Sequence, residues 1–317
     1  MTKQIAVISA HNDAHIPFVE KHLQAPIVRI DPQAIARGTE LSFYVSHNKN
    51  HIQYGSQNIT HLHGIWLRKP QPSRSANLPV PDAYKQYSQS ALEQLAAQLT
   101  TAFPHARWLS DLYTQKRASN KSMQLALAQT CGFNVMPTLF TSNAAAAQAF
   151  IAKHGSCITK PLSTQFPVLH GQQKAFMTTL VSTDNMPDLR GLRFAPAIFQ
   201  KAIDVDIEVR ATVVDRQVFA AKIQTKPAKS AHNIPVRDSR YAADGVQITS
   251  FELPPDVAAQ CIKHCMLLQM PFGAIDLLRD TAGLWWFLEN NPNGQWAFVE
   301  DATGQPIGKA IASYLER

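Results

Sequence analysis

Long apolar runs are missing from this chain. No stretch reaches the roughly 18 to 20 consecutive apolar residues that crossing a bilayer requires, so no membrane partner is expected. The start, MTKQIAVISAHND, carries an apolar segment only one strand long, which is not a signal-peptide pattern and leads to the expectation of a cytoplasmic protein. Cysteine is scarce. Cys131, Cys157, Cys261 and Cys265 show no Cys-x-x-Cys spacing, which excludes zinc ribbons, thioredoxin-type redox motifs and disulfide scaffolds. Cys261 and Cys265 share a helix face with only His264 beside them, an arrangement that suits packing better than a metal. The glycine-rich loops are absent as well: there is no Gly-x-Gly-x-x-Gly, no Gly-x-x-x-x-Gly-Lys-Ser/Thr and no Gly-x-Ser-x-Gly. A Rossmann site, a P-loop and a hydrolase elbow are therefore unsupported. Charged residues make up only 17%, yet the formal net charge is +7, which favours an anionic partner. The basic residues form no run longer than a pair, which argues against nucleic acid.

With 317 residues the chain is long enough for two or three lobes. In residues 1–111, KQIAVISA, PIVRID, LSFYVSH and HLHGIWLRKP read as strands, and DAHIPFVEKHL as a helix. The four-proline stretch PQPSRSANLPVP reads as a loop, and a helix is expected from Asp82 to Thr101 with Asp82 as its cap. This is a small α/β domain. Residues 112–197 alternate the helix NKSMQLALAQTC, the strand MPTLFTS, the helix SNAAAAQAFIAKHG and the strands SCITKPLS and AFMTTLVS, an α+β pattern. Residues 198–317 are mostly antiparallel: IFQKAI, a hairpin around Asp215-Arg216, the helix LPPDVAAQCIKHCMLLQ, then FGAIDLLRD and LWWFLEN joined at Thr281-Ala282-Gly283, and a closing helix in QPIGKAIASYL.

Carboxylates fall on apolar elements in the last hairpin. Asp276 lies inside FGAIDLLRD, a costly place for a charge without partners. Glu289 and Asn291 in LWWFLENN are two apart, so both project from one strand face. If the hairpin pairs around residues 281–283, Asp276 meets Glu289, and two carboxylates and an amide oxygen converge. These are hard donors of the kind Mg²⁺ takes, in a set so sparse that nucleotide phosphates would have to complete it. The plainer alternative is that Asp276 and Glu289 pair with Arg279 or a lysine and that Asn-Pro-Asn-Gly is only a turn. Lys121 at a helix start, Lys160 in CITKPL and Arg210 in DIEVRATVV are candidate phosphate cations, although each alone also reads as a solvent-facing residue. His61 and His63 share a strand face but lack a third ligand, so they read as polar rather than metal-binding.

The order of these pieces resembles the ATP-grasp ligases. Within them, FLENNPNGQW, WLRKP, RATVVDRQVFAAKI, RDSR and GQPIGKAIASYL look like the branch that matures ribosomal peptides, the microviridin-type or graspetide ligases. The resemblance implies an α/β plus α+β, three-lobed ATP-grasp fold with ATP held between the central and C-terminal lobes. It implies Lys121 and Lys160 as phosphate-binding lysines and Gln200, Lys201 and Ile203 as the adenine hinge. Glu208 stands where an aspartate is usual, before the catalytic Arg210. Asp276, Glu289 and Asn291 match ligands for two Mg²⁺ ions, and Arg240 matches an arginine at the transferred phosphate or acceptor. Trp66, Arg68, Lys69 and Asn293 are implied on the peptide side. Asn290, Lys201 and Lys222 depart from the pattern: Asn290 replaces an apolar residue, and the two lysines stand where acids are common.

The activity so implied joins Asp or Glu side chains of a precursor peptide, leader plus acidic core, to Thr/Ser hydroxyls or a Lys amine through an acyl phosphate. Homodimers are common among similar ligases, and no nucleic acid is expected. The competing readings are an ATP-grasp ligase for free amino acids or short peptides and a non-catalytic, basic nucleic-acid-binding protein.

Overall fold

Every residue of the strand Ile5–Ile8 is buried, as a strand covered on both faces requires. In the computed structural model it lies parallel between Ile27–Ile30 and Gly64–Leu67, with Arg107–Trp108 next in the sheet. The structure describes residues 3–47, 49–69, 78–162, 168–169, 172–173, 178–224, 228–229, 235–236 and 246–317. Leu41–Ser46 does not join that parallel sheet. It pairs with Lys49–Tyr54, which pairs with Gln57–Ile59, in a separate antiparallel sheet. The polar residues Asn50, His51 and Gln53 hide those two extra strands from a hydrophobicity pattern, and only Ile52 and Ile59 turn fully inward. The long helix runs Asp82–Ala102. Pro81 holds its cap position, and Asp82 pairs with Lys85 at 2.6 Å instead of capping. Most of the proline-rich loop, residues 70–77, lies outside the described residues.

The central sheet runs from Thr138–Thr141 through Ala197–Lys201, Cys157–Pro161 and Thr179–Val181 to Pro235–Val236 and Ala228–Lys229. The strand that crosses the expected boundary at residue 198 belongs to this sheet. Ala197–Lys201 is antiparallel to Cys157–Pro161, with Gln200 opposite Ile158, so it is a central strand, and two short segments past residue 225 return to the same sheet. The exchange is mutual. Lys121–Cys131 packs beside Trp285–Asn291, and Asn134–Val135 adds a parallel edge to that strand. Apolar periodicity identifies a strand but not its partner, so these crossings had no sequence signal.

The C-terminal sheet has the order Gln247–Phe251, Gln217–Gln224, Val205–Val214, Phe272–Asp280, Trp285–Asn291, Asn134–Val135. Val209, Ala211, Val213, Ile275 and Phe287 form one core with the helix Pro255–Leu267, including its Cys261 and Cys265. All four cysteines are buried thiols. Burial pushes the Cys265 thiol up to about 12, so packing is their role. Phe219, Ala221 and Ala274 face the other way, toward Trp296, the last helix Ile307–Glu316 and Val7 and Trp66 of the N-terminal sheet. Among the described residues no helix is long and apolar enough to cross a membrane.

The last helix ties the N-terminal sheet to the C-terminal one by backbone approach. Glu316 Oε1 accepts from the amides of Gln24 and Ala25 at 2.7 Å. A Cβ on Gly308 would overlap the Phe18 carbonyl. Gly308→Ala should therefore cost about 1–3 kcal/mol by forcing the helix off its seat, read as a lower midpoint in chemical denaturation. An unchanged midpoint would show that the seam does not need this approach.

Candidate active site

Three neighbouring strands of the C-terminal sheet set their charges side by side. Arg210 is directly opposite Asp276, and Asp276 directly opposite Glu289. The register then shifts, so that Leu277 faces Phe287 and Leu288 is the extra residue of a bulge, a device often found beside active sites. Arg210 donates from Nε to Asp276 Oδ1 at 2.6 Å and from Nη1 to the Gln295 carbonyl at 2.8 Å. Asn291 Nδ2 donates to Asp276 Oδ2 at 3.2 Å and to Glu289 Oε1 at 3.1 Å. Lys121, first residue of the helix Lys121–Cys131 capped by Asn120, forms an ion pair with Glu289 Oε2. Arg279, the alternative partner, binds Asp206 instead, at 3.1 Å from Nε.

Burial raises the Asp276 carboxyl, Arg210 opposes that shift, and the Glu289 charge adds to it. Burial works on Glu289 too, but the Lys121 and Lys160 charges overcome it and hold that carboxyl down at about 2. Two lysines from the central lobe thus act on one carboxylate of the C-terminal sheet. Among the described residues no three His, Cys, Asp or Glu side chains gather around one point, so this is no closed metal cage. Two carboxylates plus the Asn291 amide, once its oxygen and nitrogen exchange places, are the incomplete oxygen set that Mg²⁺ shares with phosphates. The residues present fit that ion.

The residues expected as a hinge fall where the central and C-terminal sheets join. Gln200 is 1% exposed, and its Nε2 donates to Thr138 Oγ1 at 2.9 Å. Its buried Oε1 has no partner among the described residues, an acceptor suited to a ligand donor. Lys201 ends that strand and is exposed, with its amide on the Pro137 carbonyl at 3.0 Å. Ile203 follows in the short link to Val205–Val214, where Glu208 lies two residues before Arg210 and acts on its charge. Arg240 lies outside the described residues.

Trp66 and Arg68, implied on the peptide side, turn inward. Both are only 2% exposed. Arg68 Nη1 donates to the Asn293 carbonyl at 2.6 Å and to its Oδ1 at 2.7 Å, while Asn293 Nδ2 donates back to the Arg68 carbonyl. Asp13, missed in the sequence because His-Asn-Asp reads as a turn, accepts from Ser9 Oγ and His15 Nδ1, each at 2.8 Å, and lies 3.6 Å from Arg68 Nε. His15 Nε2 accepts from the Trp296 amide at 3.2 Å, so the imidazole is neutral with its proton on Nδ1. Trp66 stacks toward Trp296, 6.5 Å between ring centroids. These residues clamp the Pro-Asn-Gly turn to the N-terminal lobe. Lys69, half-exposed and 3.4 Å from Asp13, alone keeps an outward face. Lys222 is opposite Val209, on the sheet face away from Arg210, so it adds no charge to the site. His63 Nε2 lies 3.2 Å from the Glu316 carbonyl and His61 is exposed.

Lysines from a central α+β lobe meeting carboxylates on a C-terminal antiparallel sheet, behind a parallel α/β lobe, constitute the ATP-grasp fold, as the motifs implied. No protein-family model matches the sequence, and no curated protein does. Solved structures do match over nearly the whole chain. A ligase of this fold from Chryseobacterium gregarium, associated with ribosomal-peptide modification and solved with ADP and a leader and core peptide, gives a TM-score of 0.88 at 21% identity, covering 99% of this chain and 96% of that one. A macrocyclase from Microcystis aeruginosa bound to its precursor peptide gives 0.84 at 21% identity, covering 98% and 99%. D-alanyl-alanine synthetase from Vibrio cholerae gives 0.60 at 11% identity, covering 99% and 98%.

Burial holds the His15 and His264 imidazoles below the ordinary 6.5. As pH falls, the unfolded chain takes up these protons first. Stability intact above about 6.5 is then lost below it, by up to about 1.4 kcal/mol per pH unit for each imidazole. Denaturation midpoints between about pH 7.5 and 5 should decline accordingly, less steeply in His15→Gln. A flat profile contradicts the neutral assignment.

Proposed function

We propose that the chain is an ATP-dependent ligase acting on a ribosomally made precursor peptide. It activates Asp or Glu side chains as acyl phosphates and joins them to Thr/Ser hydroxyls or a Lys amine, closing rings. The observation that carries this reading is the row Arg210, Asp276, Glu289, Lys121, a buried and a partly buried carboxylate between two cations, set in an ATP-grasp fold. One matching structure solved with ADP and a leader and core peptide, and another solved with a precursor peptide, support a peptide substrate, and the net charge of +7 suits an acidic core.

Asp276, Glu289 and Asn291 would hold Mg²⁺, which when bound neutralises phosphate charge. Lys121 presents its ammonium at a helix N-terminus, where backbone N–H groups add to its pull on anions, and Lys160 approaches from the central sheet. The backbone from Gln200 to Ile203 takes the adenine. Arg210 is held rigid by Asp276 and the Gln295 carbonyl, aimed at the transferred phosphoryl group, and Arg240 serves the transferred phosphate or the acceptor. The attacking groups are the peptide's own carboxylate and then its hydroxyl or amine, so the enzyme supplies position and charge rather than a nucleophile. Cytoplasmic ATP and a homodimeric assembly go with this reading. Ligation of free amino acids is the second reading, and it rests on the fold shared with D-alanyl-alanine synthetase.

Incubation with ATP, Mg²⁺ and an acidic, threonine-containing precursor peptide should remove one water mass per crosslink. No mass loss with that peptide, but ADP release with free amino acids, would favour the second reading. Glu289→Gln should lower peptide-dependent ADP release by about 10²- to 10³-fold in a protein that melts normally. Undiminished turnover would overturn the site assignment.

A further inference from the structure

Asn290 separates the two metal-ligand candidates Glu289 and Asn291, and strand alternation turns it to the opposite face, where it is 1% exposed. On the outer edge of its strand the parallel neighbour Asn134–Val135 reaches only Trp286 and Phe287. The Asn290 backbone N–H and carbonyl would therefore face that edge with no strand to pair them. Gln124 takes the place of one. Its Oε1 accepts from the Asn290 amide at 3.0 Å, and its Nε2 donates to the Asn290 carbonyl and to the Ala118 carbonyl, both at 2.6 Å.

Gln124 is one turn after Lys121 on the same helix, so the two side chains share a face. Lys121 grips the Glu289 carboxylate while Gln124 grips the backbone of the next residue. The arrangement closes on itself through His264. Its Nε2–H donates to the Gln124 carbonyl at 3.1 Å, and its Nδ1 accepts from Asn290 Nδ2 at 3.2 Å. Gly273 lies beneath, where a Cβ would sit 2.7 Å from Asn290 Oδ1. Three elements, the helix Lys121–Cys131, the helix Pro255–Leu267 and the strand Trp285–Asn291, are thereby fixed against one another at one point.

We infer that Gln124 is a positioning residue for the Mg²⁺–nucleotide site: its side-chain amide completes the strand edge at Asn290 and so sets the register of Lys121 against Glu289 and Asn291. This rests on the ATP-dependent reading above. Gln124 touches neither nucleotide nor metal; it acts through the strand that carries the ligands. The polar residue at position 290 follows from the same geometry, since a side chain packed against His264 Nδ1 and Cys265 Sγ in a sealed space has an acceptor to satisfy.

Calorimetric titration of ADP with and without Mg²⁺ separates this role from mere support of the fold. In the wild-type chain Mg²⁺ should tighten ADP binding. In Gln124→Met that gain should shrink by about 10- to 100-fold, the range for lost partners of metal ligands, while Mg²⁺-free ADP affinity stays within about twofold. Cys261→Ser, which disturbs the same helix–sheet core away from the strand edge, should melt lower yet keep the full Mg²⁺ gain. Should Gln124→Met not fold, Gln124→Glu retains one acceptor for the Asn290 amide and should show the same selective loss. The full Mg²⁺ gain in a folded Gln124 variant overturns the inference, as does an equal fall of both affinities matched by Cys261→Ser. A wild-type chain that binds no nucleotide would instead overturn the ATP-dependent reading, and this inference with it.

Discussion

Two carboxylates cannot stay ionised side by side in a protein interior unless cations flank them. Asp276 and Glu289 are direct cross-strand neighbours, and the architecture around them answers that constraint. Arg210 stands on the inner strand and Lys121 beyond the outer one, with Asn291 donating to both acids between them. The order across the sheet is cation, anion, anion, cation. Only the inner cation belongs to the same sheet. Lys121 and Lys160 come from the central lobe, so the charge balance of the site couples the two lobes.

The strand that carries Glu289 is held at both ends of its polar stretch. Gln124 and His264 hold Asn290, and three residues later Arg68 holds Asn293, backed by Asp13 and His15. Trp296 completes the second anchorage with its amide on His15 and its ring among Trp66, Phe18 and His15. A sparse metal site with two carboxylates depends on such support, because its ligands have no closed cage to orient them. The N-terminal lobe thus contributes to the site through the turn.

Much of this was legible in the residues. Alternation along a strand put Glu289 and Asn291 on one face, and the turn at residues 281–283 put Asp276 opposite them. The helix start at Asn120 announced Lys121, and Gly132 its end in the left-handed conformation. What escaped were relations between distant segments. Arg68 reads as a basic surface residue until Asn293, 225 positions later, is known to receive its hydrogens. Ala197–Lys201 is plainly a strand, but nothing local says that it pairs with Cys157–Pro161. Asp13 looks like a turn residue because its partner Arg68 lies far along the chain, and His15 looks like an ordinary helix residue because the Trp296 amide that it receives comes from the other end of the sequence. The face that Lys222 takes likewise depends on a register, the one that sets it opposite Val209.

A divalent cation and nucleotide phosphates should meet on the Asp276–Glu289 pair. Diffraction from crystals grown with Mn²⁺ and a non-hydrolysable ATP analogue tests this most directly. The expected result is an anomalous peak bounded by Asp276, Glu289 and Asn291, with the phosphates between that peak and Lys121 and Lys160. A nucleotide bound elsewhere, or bound there with Asn291 still donating to both carboxylates and no metal peak, would contradict it.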